Sequence, residues 1–131
     1  MNVNFTVFID KILSGEKRQT IRRAGFKWKS VKVGDKLTLY TGLRTKACRK
    51  LGEAIVKSIG KIVLHERDTI CGITRDGEYP LTYNEMDILA KLDGFEAVDD
   101  FWDFFNAHYH TRPIEMVVIR WADFKEAKNG R

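Results

Sequence analysis

The chain has 131 residues, 44% of them apolar and 31% charged, with a net charge of +5. That size and mix suit one folded domain spanning residues 1–131, and eight Phe, three Trp and four Tyr against two Pro exclude a disordered chain. No apolar run approaches the ~18 residues that cross a bilayer, and Met1 to Phe5 lacks the charged-then-apolar build of a secretion signal, so a cytosolic protein with no membrane partner is expected.

Cys48 and Cys71 have no CxxC spacing and are expected as free thiols in a reducing compartment. The charge is segregated. Gly15 to Lys61 carries fourteen Lys/Arg against three Asp/Glu, and Asp76 to Asp103 carries nine acidic residues against one lysine. A basic region set apart in this way is the footprint of a protein that binds phosphate, as in RNA or a nucleotide; a solvated face that keeps the domain soluble is the alternative.

In chain order, Phe5, Phe8, Ile9, Ile12 and Leu13 recur at i, i+3, i+4, i+7 and i+8. They predict a helix capped by Asn4 and ended by Gly15. Arg18 to Arg22 reads as a short strand, with Thr20 and Arg22 on one face and Gln19 and Ile21 on the other. Val33-Gly34-Asp35 turns into a strand over Lys36–Thr41, with Leu37 and Leu39 on one side, and Gly42 to Lys50 is a basic loop. Glu53 to His65 holds one or two strands, with a bulge or bend at Gly60. Thr69 to Thr74 adds another strand, closed by the Asp76-Gly77 turn.

Thr82 and Glu85 then have capping-box spacing; Met86, Leu89 and Ala90 make the inner face of the helix they open. Gly94 ends this helix, and Phe95 folds back on Leu89 or Ala90. A further helix spans about Val98 to His108, with Val98, Phe101, Trp102, Phe105 and Tyr109 as its stripe. Ile114 to Trp121 reads as the closing strand, and Trp102 and Trp121 are expected in the core. Strands and helices that do not alternate argue for an α+β fold with an antiparallel sheet. With no Gly-rich phosphate loop, the pattern argues against a nucleotide triphosphatase.

Ser14 to Arg22 concentrates the chemistry. Lys17 lies near the turn, and Thr20 and Arg22 point to one side, so an ammonium, a hydroxyl and a guanidinium can meet one phosphate, carboxylate or amide oxygen. Asp93 stands seven residues after Met86 and four after Leu89, which turns it inward, where an unpaired carboxylate is costly. The expected partner is a cation from the Lys17–Arg22 segment, placing Lys17, Thr20, Arg22 and Asp93 around one cleft; a helix-ending Asp93 that meets solvent is the alternative. Arg23, Lys27, Trp28, Tyr40, Arg44, Lys46 and Arg49 are candidate contacts to bases and phosphates, with Phe26-Lys27-Trp28-Lys29 interleaving aromatics and cations. His108 and His110 have no third residue at metal-ligand spacing, and neither a metal nor a cofactor is expected.

Gly15-x-Lys17-x-x-Thr20-x-Arg22 resembles the G-x-K-x-x-[ET]-x-R signature of the ASCH domain family. Val33-Gly34-Asp35, Leu92-Asp93-Gly94-Phe95, Asp100-Phe101 and Val118-Ile119-Arg120-Trp121 also look like that family, and the basic loop from Leu39 to Arg49 looks like its phage or prophage branch. The resemblance implies a small PUA-like β-barrel with flanking helices and a role in RNA-associated chemistry. Lys17 and Thr20 are similar to the Lys and Thr of the bacterial N4-acetylcytidine amidohydrolases within the family. Asp93 falls near their later Glu but is one methylene shorter, with Glu96 as the fallback. In that likeness Thr20 attacks the acyl carbonyl, Lys17 acts as base when neutral, and Asp93 handles the proton of the leaving amine. A ribonuclease on single-stranded RNA, a non-catalytic module for RNA or a modified nucleoside or nucleotide, and a protein-binding adaptor remain the alternatives.

Overall fold

The computed structural model describes residues 1–67 and 72–128, and the Phe26 side chain lies outside what is described. Cys71, and the first three residues of the strand predicted from Thr69, therefore lie outside the described residues. Within them the order is β1 (Asn2–Phe5), α1 (Ile9–Ser14), β2 (Gln19–Arg23), a 3₁₀ turn at Phe26–Trp28, β3 (Lys36–Thr41) and β4 (Arg49–Leu64). There follow β5 (Ile73–Arg75), β6 (Tyr79–Pro80), α2 (Tyr83–Leu92), α3 (Val98–His108) and β7 (Ile114–Glu126). No helix among them is long and apolar enough to cross a membrane.

The sheet is built around β7, whose β-branched and apolar run suits a strand flanked on both edges. It pairs antiparallel with β2 on one side and with β4 on the other. The first part of β4 continues to β3, and β3 to a parallel β1; the last part pairs with β5, and β5 with β6. Alternation along β7 divides the core in two. Met116 and Val118 pack with α2 and α3, whereas Val117, Ile119 and Trp121 pack with Val3, Phe5, Leu37, Leu39 and Val56 on the other face. The mixed sheet with few helices is an α+β fold. The expected barrel is not closed: no backbone ladder joins the end strands β1 and β2. A side chain bridges them instead, with Arg22 Nη2 donating to the Asn4 carbonyl at 2.7 Å.

Two irregularities bend the long β4–β7 pair. One lies between Val56 and Ser58, where Lys57 is the extra residue; in the other, between Glu53 and Ile55, β7 carries the extra residue and Asp123 has φ 55°. Gly60, expected at a bulge, instead pairs in register with Val118. The close crossing is at Gly52, where a Cβ would lie 2.3 Å from the Lys125 carbonyl oxygen.

The first predicted helix is also corrected. Its expected cap Asn4 and first residue Phe5 end β1, with Phe5 buried, and the helix begins only at Ile9, after Phe8 turns the chain at φ 62°. Asn4 caps nothing: its Oδ1 accepts from the Leu43 amide at 2.8 Å. The cause is non-local, because β1 finds a backbone partner in β3, thirty-odd residues away, and so needs no helical hydrogen bonds. Elsewhere the local signals suffice, as in the Asp76-Gly77 turn, where both residues have positive φ.

Candidate active site at the open edge of the sheet

The end of α2 aims the acidic member of the site. The helix starts with the predicted capping box, in which Thr82 Oγ1 accepts from the Glu85 amide and Glu85 Oε1 from the Thr82 amide. It ends with two return bonds: the Gly94 amide donates to Lys91 O and the Phe95 amide to Ala90 O, both at 3.0 Å. Gly94 takes φ 109°, and a Cβ there would meet the Phe8 ring at 2.9 Å, so glycine is required on two counts. This ending turns Asp93, the C-cap residue, inward, where it is 5% exposed.

The lead into β2 is clamped to the same place. The Lys17 amide donates to Lys11 O and the Arg18 amide to Leu92 O. Lys17 Nζ donates to the Asp93 carbonyl at 2.5 Å and lies 3.4 Å from Asp93 Oδ2. The rings of Phe5 and Phe8 lie 5.6 Å from the same ammonium. Thr20, also buried, accepts from Arg22 Nε at 2.9 Å. The Arg22 guanidinium lies over Phe5 at 5.0 Å and over Trp28 at 5.9 Å. Lys17, Thr20, Arg22 and Asp93 thus line one cavity of about 250 Å³. Its other walls include Phe5, Phe8, Phe104, His108 and Tyr109.

Burial dominates the electrostatics. It holds the Lys17 ammonium below the usual lysine range; Asp93 opposes this and Arg22 adds to it. It pushes the Asp93 carboxyl above the usual range, against Lys17, Gln19 and Arg22. It also lowers Arg22, against Tyr109 and Asp93. Both members of the Lys17–Asp93 pair are therefore driven toward their neutral forms, a condition in which one proton is readily exchanged between them.

The remaining predicted contacts lie outside the cavity wall. Trp28 is half-buried, with Lys27 5.5 Å over its ring; the run from Phe26 forms a 3₁₀ turn. Lys27 is lowered by partial burial and then by the charges of Arg22 and Arg44. Arg23, Arg44, Lys46 and Arg49 are exposed and Tyr40 half-buried, and none of them lines the cavity. Asn4, which does line it, holds the start of the basic loop through Leu43. Glu96 is exposed and paired with Lys11 at 2.7 Å, outside the cavity. Cys48 is a free, exposed thiol. Among the described residues no group of His, Cys, Asp and Glu is placed to hold a metal ion.

Two contributions escape the sequence pattern. Gln19 is fully buried and donates through Nε2 to Leu89 O at 3.0 Å and to Asp93 Oδ1 at 3.2 Å. Its only sequence signal is an amide sharing a strand face with Ile21. The α3 wall is the second: Phe104 stacks on His108, whose Nδ1 lies 2.8 Å from the Phe104 carbonyl. Its signal is the i, i+4 spacing of these two residues beside the helix's core stripe.

An α+β sheet left open at one edge, with a buried Lys–Asp pair beneath the opening, is the form this chain takes, and it is an ASCH-domain fold. Solved structures of the Zymomonas mobilis ASCH protein superpose on it. The unsubstituted protein does so with a TM-score of 0.57 at 14% identity, covering 95% of this chain and 68% of that one. A serine-to-alanine variant gives 0.58 at 13%, covering 97% and 70%, and a tyrosine-to-phenylalanine variant 0.56 at 13%, covering 95% and 70%. At that identity it is the fold that is shared. No family model matches the sequence, and no curated protein does.

Proposed function

We propose that the chain is a small cytosolic hydrolase that removes an acyl group from the exocyclic amine of cytosine, in a nucleoside or in RNA. The carrying observation is the buried Lys17–Asp93 pair, both members shifted toward neutrality, beside the Thr20 hydroxyl in an aromatic-walled cavity. The cavity volume of about 250 Å³ falls below the ~300–1,000 Å³ of ordinary ligand pockets. It therefore suits one base with a small substituent better than a folded strand. In this reading the sheet is a PUA-like barrel left open at the β1–β2 edge, where the base enters.

The chemistry follows from the side chains. A hydroxyl has one proton and two lone pairs. Arg22 occupies one lone pair of Thr20 Oγ1. The proton is left for neutral Lys17 and the second lone pair for the acyl carbon. Attack forms a C–O bond, and the resulting oxyanion is held by Arg22. The C–N bond then breaks, with protonated Asp93 supplying the proton to the leaving amine. Water cleaves the threonyl ester, giving the carboxylic acid and the Thr20 hydroxyl, and the proton taken up by Lys17 returns to Asp93, 3.4 Å away. Asp93 does the work of the longer Glu because the helix end itself carries its carboxylate to Lys17.

Purified protein should release cytidine and acetate from N4-acetylcytidine, read by chromatography. Lys17→Met and Thr20→Val should each lower kcat/KM by at least ~100-fold, the scale of lost acid–base or nucleophilic catalysis. Turnover that survives both substitutions, or is absent from folded wild-type protein, removes the proposal.

The anchored basic loop favours a second reading, a binding module for single-stranded RNA. Phosphates would lie along Lys27, Arg44, Lys46 and Arg49, with a base stacked on Trp28. Affinity should then fall steeply with salt, and Arg44→Ala should flatten the slope of log K against log[salt] by about 0.7–1. Affinity indifferent to salt excludes this reading.

A further inference from the structure

The Gln19 amide lies between the Lys17–Asp93 pair and Arg120 of β7. Its Oε1 accepts from Arg120 Nε at 3.0 Å, while Nε2 donates to Leu89 O and Asp93 Oδ1. An amide in this setting has one workable orientation. Rotated by half a turn, it would set its oxygen against two acceptors and its NH2 against an arginine that has only donors. Arg120 is half-buried and lines a separate cavity of about 680 Å³ between the sheet and α2, which Lys17 does not line. The cation that orients the amide therefore stands outside the proposed active site.

We propose that Gln19 and Arg120 are positioning residues, with Arg120 locking the Gln19 amide so that it always presents a donor to Asp93. The inference rests on the hydrolase reading only for its catalytic consequence; the lock itself is a property of the folded chain. A donor fixed on the carboxylate favours its charged form and opposes the effect of burial. The Gln19 donor thereby moderates the upward push of burial on Asp93, beside the Lys17 amine 3.4 Å away. The other charged and titratable groups around Asp93 are Lys17 and Arg22 from the β2 side and Lys11 of α1, which donates to the Gly94 carbonyl. His108 and Tyr109, at the end of α3, line the same cavity as Asp93. None of these groups is bonded to Gln19, whose oxygen has Arg120 as its side-chain donor.

The test is Arg120→Met, which keeps the aliphatic stem and removes the donor, compared with Arg120→Lys, which restores one. The readouts are the pH titration of the Asp93 carboxyl carbon in ¹³C-aspartate-labelled protein and the exchange rate of the Gln19 Nε2 protons. In Arg120→Met the Asp93 midpoint should rise by about 1 pH unit, the scale of one hydrogen bond to a charged group. Gln19 exchange should quicken at least ~10-fold, corresponding to about 1.4 kcal/mol of lost protection. Arg120→Lys should recover most of both. An unchanged midpoint together with unchanged exchange overturns the proposal. The basic limb of kcat/KM for N4-acetylcytidine, set by the protonated Asp93 that supplies the leaving amine's proton, should move up with the carboxyl. A carboxyl that moves while the limb stays still upholds the lock and removes Asp93 from the chemistry, so the two readings fail separately.

Discussion

The ion pairs at two places in this molecule rank differently by distance and by physics. Arg67 meets Asp99 and Asp103 on α3 at 2.7 and 3.1 Å, whereas Lys17 stands 3.4 Å from Asp93 Oδ2. The surface contacts are shorter, yet the Asp99 and Asp103 side chains are 82% and 71% exposed, against 4% and 7% for Lys17 and Asp93. Water and salt screen the first group, and the same carboxylates gain little from pairing. The second pair has given up its hydration, so each member depends on the other and on backbone and amide partners. An acidic helix face and an acidic helix end are thus different objects: one stays in water, the other is buried with its carboxyl pushed above the usual range.

Breaking the buried pair should have the largest effect. Asp93→Leu alone leaves a buried ammonium and should cost about 3–5 kcal/mol, measured by urea unfolding. The double variant Lys17→Met/Asp93→Leu should recover most of that stability while remaining inactive; equal losses in the single and double variants would show that the pair is not coupled. Next comes Gly94→Ala, which forces an L-residue to φ 109° against the Phe8 ring. It should cost about 1–3 kcal/mol and lower activity by misaiming Asp93, so a stable, fully active Gly94→Ala protein would uncouple the helix ending from the site.

The pH dependence of stability sharpens the contrast further. The Asp93 carboxyl is raised in the folded state, so the folded chain holds the proton more tightly. Its contribution is full below the ordinary aspartate value, about 3.9, and is lost as pH rises through the folded value. Lys17 is lowered, so its contribution is present above the ordinary lysine value, about 10.4, and is lost as pH falls through its folded value. Between the two folded values both effects oppose folding. Unfolding midpoints measured across pH should show this depression in wild type and a flatter curve in the double variant. The smallest effect is expected from Asp87→Asn, which breaks the i, i+4 pair of a half-buried Asp87 with the exposed Lys91 on α2. It should leave the urea midpoint unchanged within error.

Much of the site was legible in the chain because it depends on short-range periodicity. The seven-residue step from Met86 to Asp93 set the carboxylate inward, and the two-residue step from Thr20 to Arg22 set hydroxyl and guanidinium on one face. The capping box at Thr82 and the glycine ending at Gly94 are likewise local hydrogen-bond patterns, readable from their own neighbours. The first predicted helix started too early because Phe5 had an equally good claim to a strand, and only β3 settled the matter. The bulges at Lys57 and Asp123 have no glycine to announce them, and the Gly60 that suggested one is an ordinary paired residue.

Tertiary structure alone decided the rest. Gln19 and Arg120 are a hundred residues apart in sequence, and their bond exists because β2 lies against β7 with those residues in register. The open edge between β1 and β2 depends on which strands the long β4 and β7 draw to their sides. The shifts of Lys17 and Asp93 depend on burial, which belongs to the assembled core and to no single segment. Local backbone chemistry determines which way a side chain leaves its own helix or strand; what it meets there, and how dry that place is, is determined only when distant segments pack.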